Sequence, residues 1–251
     1  MIPQLQVIGI TGIPEIKPGD HLGDVIVKAA QEQGTPLETG DILVVTQKIV
    51  SKAEGRVVDL RDIEPSPFAK YVAEESDRDP SHVEVILRES RRIVRMARGT
   101  LITETKHGLV CAAAGVDASN VPGENNVSLL PEDPDRSARG ILKDISMLTG
   151  VDLAVIISDS FGRPWREGSV DIAIGAAGLD AVKDYRGTDD ANGRALKVSV
   201  IAIADELAST AELVTGKIAS IPVAIIRGYQ YTAGDEGTKP LIRESAKDMF
   251  S

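Results

Sequence analysis

The sequence predicts an α+β fold, with mixed and antiparallel sheets and flanking helices. Short Val- and Ile-rich strand candidates and amphipathic helix candidates follow one another without a βαβ series of regular length. Two of the strand candidates lie close enough together to pair as a hairpin, which makes them antiparallel. Neither GxGxxG nor GxxxxGKS occurs, so a standard dinucleotide fold or P-loop has no direct support.

Residues 5–10 read as a strand, followed by Thr11-Gly-Ile-Pro-Glu-Ile-Lys-Pro-Gly-Asp20, whose two glycines and two prolines dictate a fixed loop. Asp20 is placed to cap a helix running to about residue 33, with Leu22, Val25, Ile26 and Ala29 on one face. Residues 41–50 give a strong strand signal, ended by Ser51-Lys-Ala-Glu-Gly-Arg56. Ser81 and Glu84 form a capping-box pattern, after which Val83, Ile86, Leu87, Ser90 and Val94 continue a helix. Arg88, Arg91, Arg92, Arg95 and Arg98 are either an anion surface or, more often for such a pattern, the solvated back of that helix.

Residues 100–104 and 109–114 form the hairpin, joined through Thr105-Lys-His-Gly108. Asp133, Pro134 and Asp135 supply an N-cap, a proline at the first helical position and an acid near the positive end of the dipole. That helix runs to Leu148 and stops at Gly150. Residues 153–157, 196–203 and 222–226 are further strands, with a helix over 204–215 between the last two. There is no repeat, low-complexity tract or linker. Residues 1–251 read as one unit, in which two domains would share chain segments.

At 251 residues the chain can bury a large core. Aromatics are only 3%, so that core is built from Val, Ile, Leu and Ala. The net charge of -10 argues against nonspecific nucleic-acid binding and against an anionic membrane surface. The one cysteine, Cys111, excludes an internal disulfide framework and reads as a small buried hydrophobe before a nucleophile. No apolar stretch reaches membrane-spanning length and the amino terminus has no signal-peptide pattern, so a cytoplasmic protein is expected.

Asp117 and Asp159 carry the strongest chemical signal. Each stands where an apolar run breaks into a small-residue or glycine-rich turn, a common way to hold a hard divalent cation beside phosphate oxygens. Ser160 and Glu206 are possible helpers. Asn120 could contact a phosphate or sugar, or simply form a turn. Arg163 and Arg166, with Lys183 and Arg186 further on, offer cationic groups for a carboxylate or phosphate, against the plainer reading of surface charge. Trp165 could pack an apolar part of a ligand or belong to the core. Lys52 could reach a phosphate or start a helix. Gly168, Gly175 and Gly178 permit close backbone approach. His21, His82 and His107 show no metal-ligand spacing.

Taken together, the chain resembles the coenzyme F-420-0:L-glutamate ligase family, the F-420 gamma-glutamyl ligases. The resemblance rests on Gly12-Ile-Pro-Glu-Ile-Lys-Pro-Gly19, Ser51-Lys-Ala-Glu-Gly-Arg56, Gly115-Val-Asp-Ala-Ser-Asn-Val121 and Pro131-Glu-Asp-Pro-Asp135. Ser158-Asp-Ser-Phe-Gly-Arg163, Asp184-Tyr-Arg-Gly187 and Ala204-Asp-Glu206 continue it in order. It implies an unusual two-domain α+β fold, a homodimer, and GTP-dependent addition of L-glutamate to the deazaflavin precursor F-420-0 with Mg2+ or Mn2+ and a monovalent cation, K+. The family's metal aspartates fall on Asp117 and Asp159, with Ser160 where the family often has threonine.

The resemblance places nucleotide contacts on Ile13, Pro14, Glu15, Ile16, Gln47, Lys48, Lys52 and Asn120, and on the loop Thr215, Gly216, Lys217. That loop departs from the family pattern: it is short, and Lys217 falls where an acidic residue can occur. The implied chemistry is phosphorylation of the precursor's carboxylate followed by attack of the glutamate amine, with gamma-linked glutamate addition as a further round. Asp117 and Asp159 then serve catalysis through the metal, and Arg163 and Arg166 an anionic substrate group. Only the ligase unit is expected here, without the flavin-binding domain fused to some bacterial relatives. Two other readings stay open: a metal-dependent ligase or kinase for another small carboxylate, and a noncatalytic GTP or metabolite sensor.

Overall fold

The computed structural model describes residues 2–248. In chain order its first half contains β1 (Gln6–Gly9), α1 (Leu22–Glu32), β2 (Ile42–Thr46), α2 (Gln47–Ala53), β3 (Val57–Asp59), α3 (Pro67–Ser76), α4 (Pro80–Glu89), β4 (Ser90–Ala97), β5 (Thr100–Thr105) and β6 (Val110–Ala112). The second half contains β7 (Asn126–Ser128), α5 (Pro134–Thr149), β8 (Ala154–Arg163), β9 (Arg166–Ala177), β10 (Lys183–Asp184), β11 (Val200–Ile201), α6 (Ile203–Thr215) and β12 (Val223–Arg227). The fold is α+β.

A five-stranded sheet in the order β1-β12-β2-β8-β9 forms the centre; only β2 and β8 run parallel. Its inner strands are almost wholly apolar because both faces are covered. Leu43, Val45, Val155, Ile157, Val223 and Ile225 pack with α1 and α5 on one face. Their chain neighbours Ile42, Val44, Ala154, Ile156, Ala224 and Ile226 pack with α6 on the other. This alternation decides which way the polar residues of β8 point. A third apolar cluster joins α3 and α4 to Leu101, Ala114, Val116, Val127 and Leu129.

Several elements differ from the sequence expectation. The strand at 41–50 stops at Thr46, and Gln47–Ala53 is a helix, although Ile49 and Val50 favour strands. Burial of both residues, with the Ser51 hydroxyl bonding Gln47 Oε1 one turn back at 2.8 Å, outweighs that preference. Asp20 does not cap α1; its carboxylate accepts from the Lys17 backbone N–H inside the preceding loop, and His21 holds the N-cap position.

The helix expected from Ser81 through Val94 begins at Pro80, capped by Asp79, and ends at Glu89. Glu84 bonds the Ser66 N–H instead of closing a capping box, and Ser81 donates to the Ile63 carbonyl. From Ser90 the chain is the strand β4, where Ile93 and Val94 suit the extended form. Arg91 and Arg92 pair with Glu104 across to β5, and Arg88 pairs with Glu84, so this basic run is largely a solvated surface. The strand expected over 196–203 is only Val200–Ile201. Helix α3 and strand β9 have no counterpart in the sequence expectation: the glycines and charges of 166–178 hide the longest strand of the sheet.

The expected features that hold are local ones. Asp133 caps α5 with Pro134 in the first turn, and Gly150 ends it in the left-handed region. The β5–β6 hairpin forms, although its second strand is Val110–Ala112 and the expected 113–114 belong to a 3-10 turn.

Candidate active site

Strand β2 pairs with β8 as far as Thr46 opposite Ser158, then turns into α2. Strand β8 runs on alone with β9, so Asp159 is the first residue beyond the parallel pair. On β9 the register shifts here: Ile157 faces Gly175 and Ser158 faces Ala173, leaving Ile174 as the extra residue of a bulge. The site is built where sheet ladder, helix start and bulge coincide.

Asp159 lies on the α1/α5 side of β8, the side of Val155, Ile157 and Phe161. Facing it is the segment that holds Asp117, anchored by paired backbone hydrogen bonds between Asp117 and Ser128. Lys48, in the first turn of α2, reaches Asp117 Oδ2 at 2.5 Å and the Ser119 carbonyl at 2.6 Å. Ser119 folds back onto the same carboxylate through its N–H at 2.8 Å and hydroxyl at 2.6 Å. These bonds outweigh the cost of burial and hold the Asp117 carboxyl below its usual range.

Asp159 is affected in the opposite sense. Burial pushes its carboxyl up to about 7, the negative charges of Asp171 and Asp117 add to the rise, and the Lys48 charge opposes it. The two aspartates therefore share one electrostatic field with Lys48. The Cys111 thiol is within the field of the same carboxylate; burial first, then Asp159, pushes it up to about 12, which leaves an inert thiol.

Ser160 points to the α6 side of β8. Its hydroxyl donates to Asp171 Oδ1 at 2.6 Å, and Ser158 donates to Asp171 Oδ2 at 3.2 Å. Lys217, just past the end of α6, donates to the Ser160 hydroxyl. Asp171 is only 5% exposed, and the sequence does not single it out: a carboxylate between Val170 and Ile172 gives no signal until β9 is recognised as a strand.

The other expected site residues are placed as follows. Lys52 is buried in α2 with its ammonium 2.5 Å from Glu15 Oε1, which ties the loop after β1 to the same corner. In that loop Pro14 is exposed and Ile16 is packed in the core, with Ile13 half-buried against it. Gln47 is buried and satisfied by Ser51. Asn120 is exposed with φ 55, the left-handed turn position. Thr215 is buried at the last turn of α6, and Gly216 turns the chain toward Lys217.

Glu206 is exposed on the outer face of α6 and is not brought to the aspartate pair; its neighbour Asp205 instead meets the sheet, accepting from Ala173 N at 2.9 Å. Arg163 and Arg166 face each other at the end of the β8–β9 arm, and Arg163 is bonded to the Glu167 and Gly168 carbonyls. Trp165, at the tip between them, is 82% exposed, which removes the core reading. Among the described residues, no group of three or more His, Cys, Asp or Glu side chains could hold a metal ion, and no helix is long and apolar enough to cross a membrane.

The family model for F420-0:Gamma-glutamyl ligase matches residues 11–228, which span every group described above. The chain belongs to this family. It is 46% identical over 249 residues to the coenzyme F420:L-glutamate ligase of Methanothermobacter thermautotrophicus, covering 98% of each chain. The coenzyme F420:L-glutamate ligase of Methanopyrus kandleri is 45% identical over 254 residues, covering 99% of this chain and 98% of its own. That of Methanocaldococcus jannaschii is 44% identical over 250 residues, with 98% and 97% covered. The F420-0:Gamma-glutamyl ligase match begins in the Glu15 loop and ends just beyond β12, so both walls of the site fall within it.

Proposed function

We propose that this protein joins L-glutamate to the carboxylate of coenzyme F420-0, driven by GTP and a divalent cation. The observation that carries this reading is the convergence of Asp117, Asp159 and Lys48 from three distant chain segments on one end of the sheet. The relatives' names supply the substrates; the geometry suggests how they would be used.

Asp117 and Asp159 suit Mg2+ or Mn2+. Both are hard oxygen donors, and such ions are usually held by one or two carboxylates with phosphate and water completing the shell. The Lys48 ammonium already sits on Asp117, and the Asp159 carboxyl, raised by burial first and by the nearby Asp171 and Asp117 charges second, would be drawn back to its ionised form by added positive charge. When bound, the ion would neutralise charge on the transferring phosphoryl group.

Lys48 and Lys52, one turn apart at the β2–α2 corner, hold positive charge where a polyphosphate would lie. Arg163 and Arg166 on the arm would take an anionic group of the acceptor. In the first step a carboxylate oxygen of the acceptor bonds to the γ-phosphorus, and the bond to the bridging oxygen breaks to release GDP. In the second the glutamate amine bonds to the acyl carbon, the carbon–oxygen bond to phosphate breaks, and the amine loses a proton. Activation is needed because a carboxylate is a poor electrophile.

The test is a reaction of the purified protein with F420-0, GTP, L-glutamate and Mg2+ or Mn2+, followed by mass spectrometry. A gain of one or more glutamyl units with matching GDP and phosphate is expected. GTP cleavage without a glutamyl product, or a product from a different carboxylate only, would sink the assignment.

A further inference from the structure

The polar groups at this end of the sheet form two clusters on opposite sides of β8, and the second has its own cation. Asp171 is a buried carboxylate whose two oxygens are met, among the described residues, only by the hydroxyls of Ser158 and Ser160. Among the described residues it makes no ion pair. A buried carboxylate satisfied by neutral hydroxyls alone is under-compensated and draws a counter-charge. A serine hydroxyl that donates to Asp171 still has lone pairs to accept a bond. Ser160 uses one to accept from Lys217.

Lys217 reaches that position from outside the core. It belongs to an exposed loop whose next residue, Ile218, is 96% exposed, and Gly216 at φ 55 turns the chain back toward β8. A long, freely hydrated side chain loses entropy when held on one hydroxyl, so the contact needs an electrostatic return. Asp171, one bond further in, supplies it. An ammonium group bridged by a hydroxyl to a carboxylate occupies the position that a soluble cation would otherwise fill.

We infer that Lys217 is a tethered cation serving the Ser160–Asp171 cluster in place of a second soluble ion. The inference rests on the proposed ligase reading for its catalytic meaning. It departs from the monovalent-cation requirement that the family resemblance implies. One soluble divalent ion would serve the Asp117–Asp159 side, while Lys217 serves the α6 side. Asp171 is then a positioning residue acting through Ser160.

The experiment uses the full chain, with Mn2+ alone as the probe in an electron paramagnetic resonance titration. Wild type is expected to bind one Mn2+ and Lys217→Glu two. Ligation is measured in parallel in potassium chloride and in choline chloride at matched ionic strength. Wild type should be indifferent to the exchange, whereas Lys217→Ala should fall by about tenfold or more in choline chloride and recover in potassium chloride. A double-mutant cycle on thermal stability completes the test: Lys217→Ala should lower Tm in wild type and leave it unchanged beside Asp171→Asn.

Two Mn2+ on wild type, potassium dependence of wild type, or a loss in Lys217→Ala that potassium does not restore would each overturn the inference. So would unchanged Lys217→Ala activity in choline chloride. If wild type makes no glutamyl product at all, the ligase reading fails, while the Mn2+ stoichiometry and the melting cycle still decide the role of Lys217.

Discussion

Asp159 and Ser160 are adjacent in the chain and face opposite sides of the central sheet. Asp159 shares its surroundings with Asp117 and Lys48, and Ser160 bonds Asp171 and receives Lys217. One strand thus separates two charged clusters by no more than its own backbone. Substitutions on the two faces should have separable effects.

Asp159→Ala should abolish ligation while the protein still folds. Losing one of two proposed metal carboxylates removes several kcal/mol of stabilisation from the transferring phosphoryl, on the order of a 1000-fold loss in rate. Phosphate release and glutamyl product are measured against a circular dichroism control. Near wild-type turnover at saturating metal would refute the assignment.

Stability of the metal-free protein should depend on pH through the same residue. A carboxyl held at about 7 when folded binds its proton more tightly than in the unfolded chain. Its contribution therefore weakens the fold as pH rises from about 4 toward 7, by at most about 4 kcal/mol. Asp159→Asn should melt above wild type at about pH 8 and match it near pH 4. A variant that melts lower at the higher pH contradicts the burial argument.

Lys48 is paired with Asp117 Oδ2, so under the proposed metal site it would compete with a soluble cation for that oxygen. Lys48→Met should bind Mn2+ several-fold more tightly in the absence of nucleotide, yet show a lower kcat/KM for GTP. Weaker Mn2+ binding by this variant would show that the lysine organises the carboxylate instead of screening it.

Gly175 faces the first turn of α5, where an added Cβ would lie 2.4 Å from the Pro134 carbonyl oxygen. Neither backbone can yield easily beside the bulge. Gly175→Ala should cost about 1–3 kcal/mol, read as a drop in Tm. A neutral result would mean that α5 is free to shift.

Trp165 takes φ 59 at the two-residue tip of the β8–β9 arm, a conformation that favours glycine. Trp165→Gly should relieve about 1 kcal/mol of backbone strain. If the arm holds the acceptor, the same change should raise KM for F420-0. An unchanged KM would remove the arm from acceptor binding.

Much of the chain is legible from local pattern. The caps Asp133 and Gly150, the periodic face of α1 and the apolar runs of β2, β8 and β12 all appear where composition and spacing put them. Errors cluster where burial overrides propensity. Ile49 and Val50 look extended and are helical; the glycines and charges of 166–178 look irregular and form a strand; Ser90 looks like a helical position and begins one. Asp117 and Asp159 could be named as candidates, whereas Asp171 could not, because its importance comes from the strand opposite.

The sequence by itself determined which residues could carry charge chemistry and, through its ordered motifs, the family. Tertiary structure alone decided which charges meet. Asp117 and Lys48 are 69 residues apart, and Ser160 and Lys217 are 57 apart. Their encounters depend on sheet register, on the bulge at Ile174 and on the turn after α6. Propensity and periodicity act over a few residues, whereas register is fixed by burial of both sheet faces at once. That non-local packing divides the polar residues between the two sides of β8.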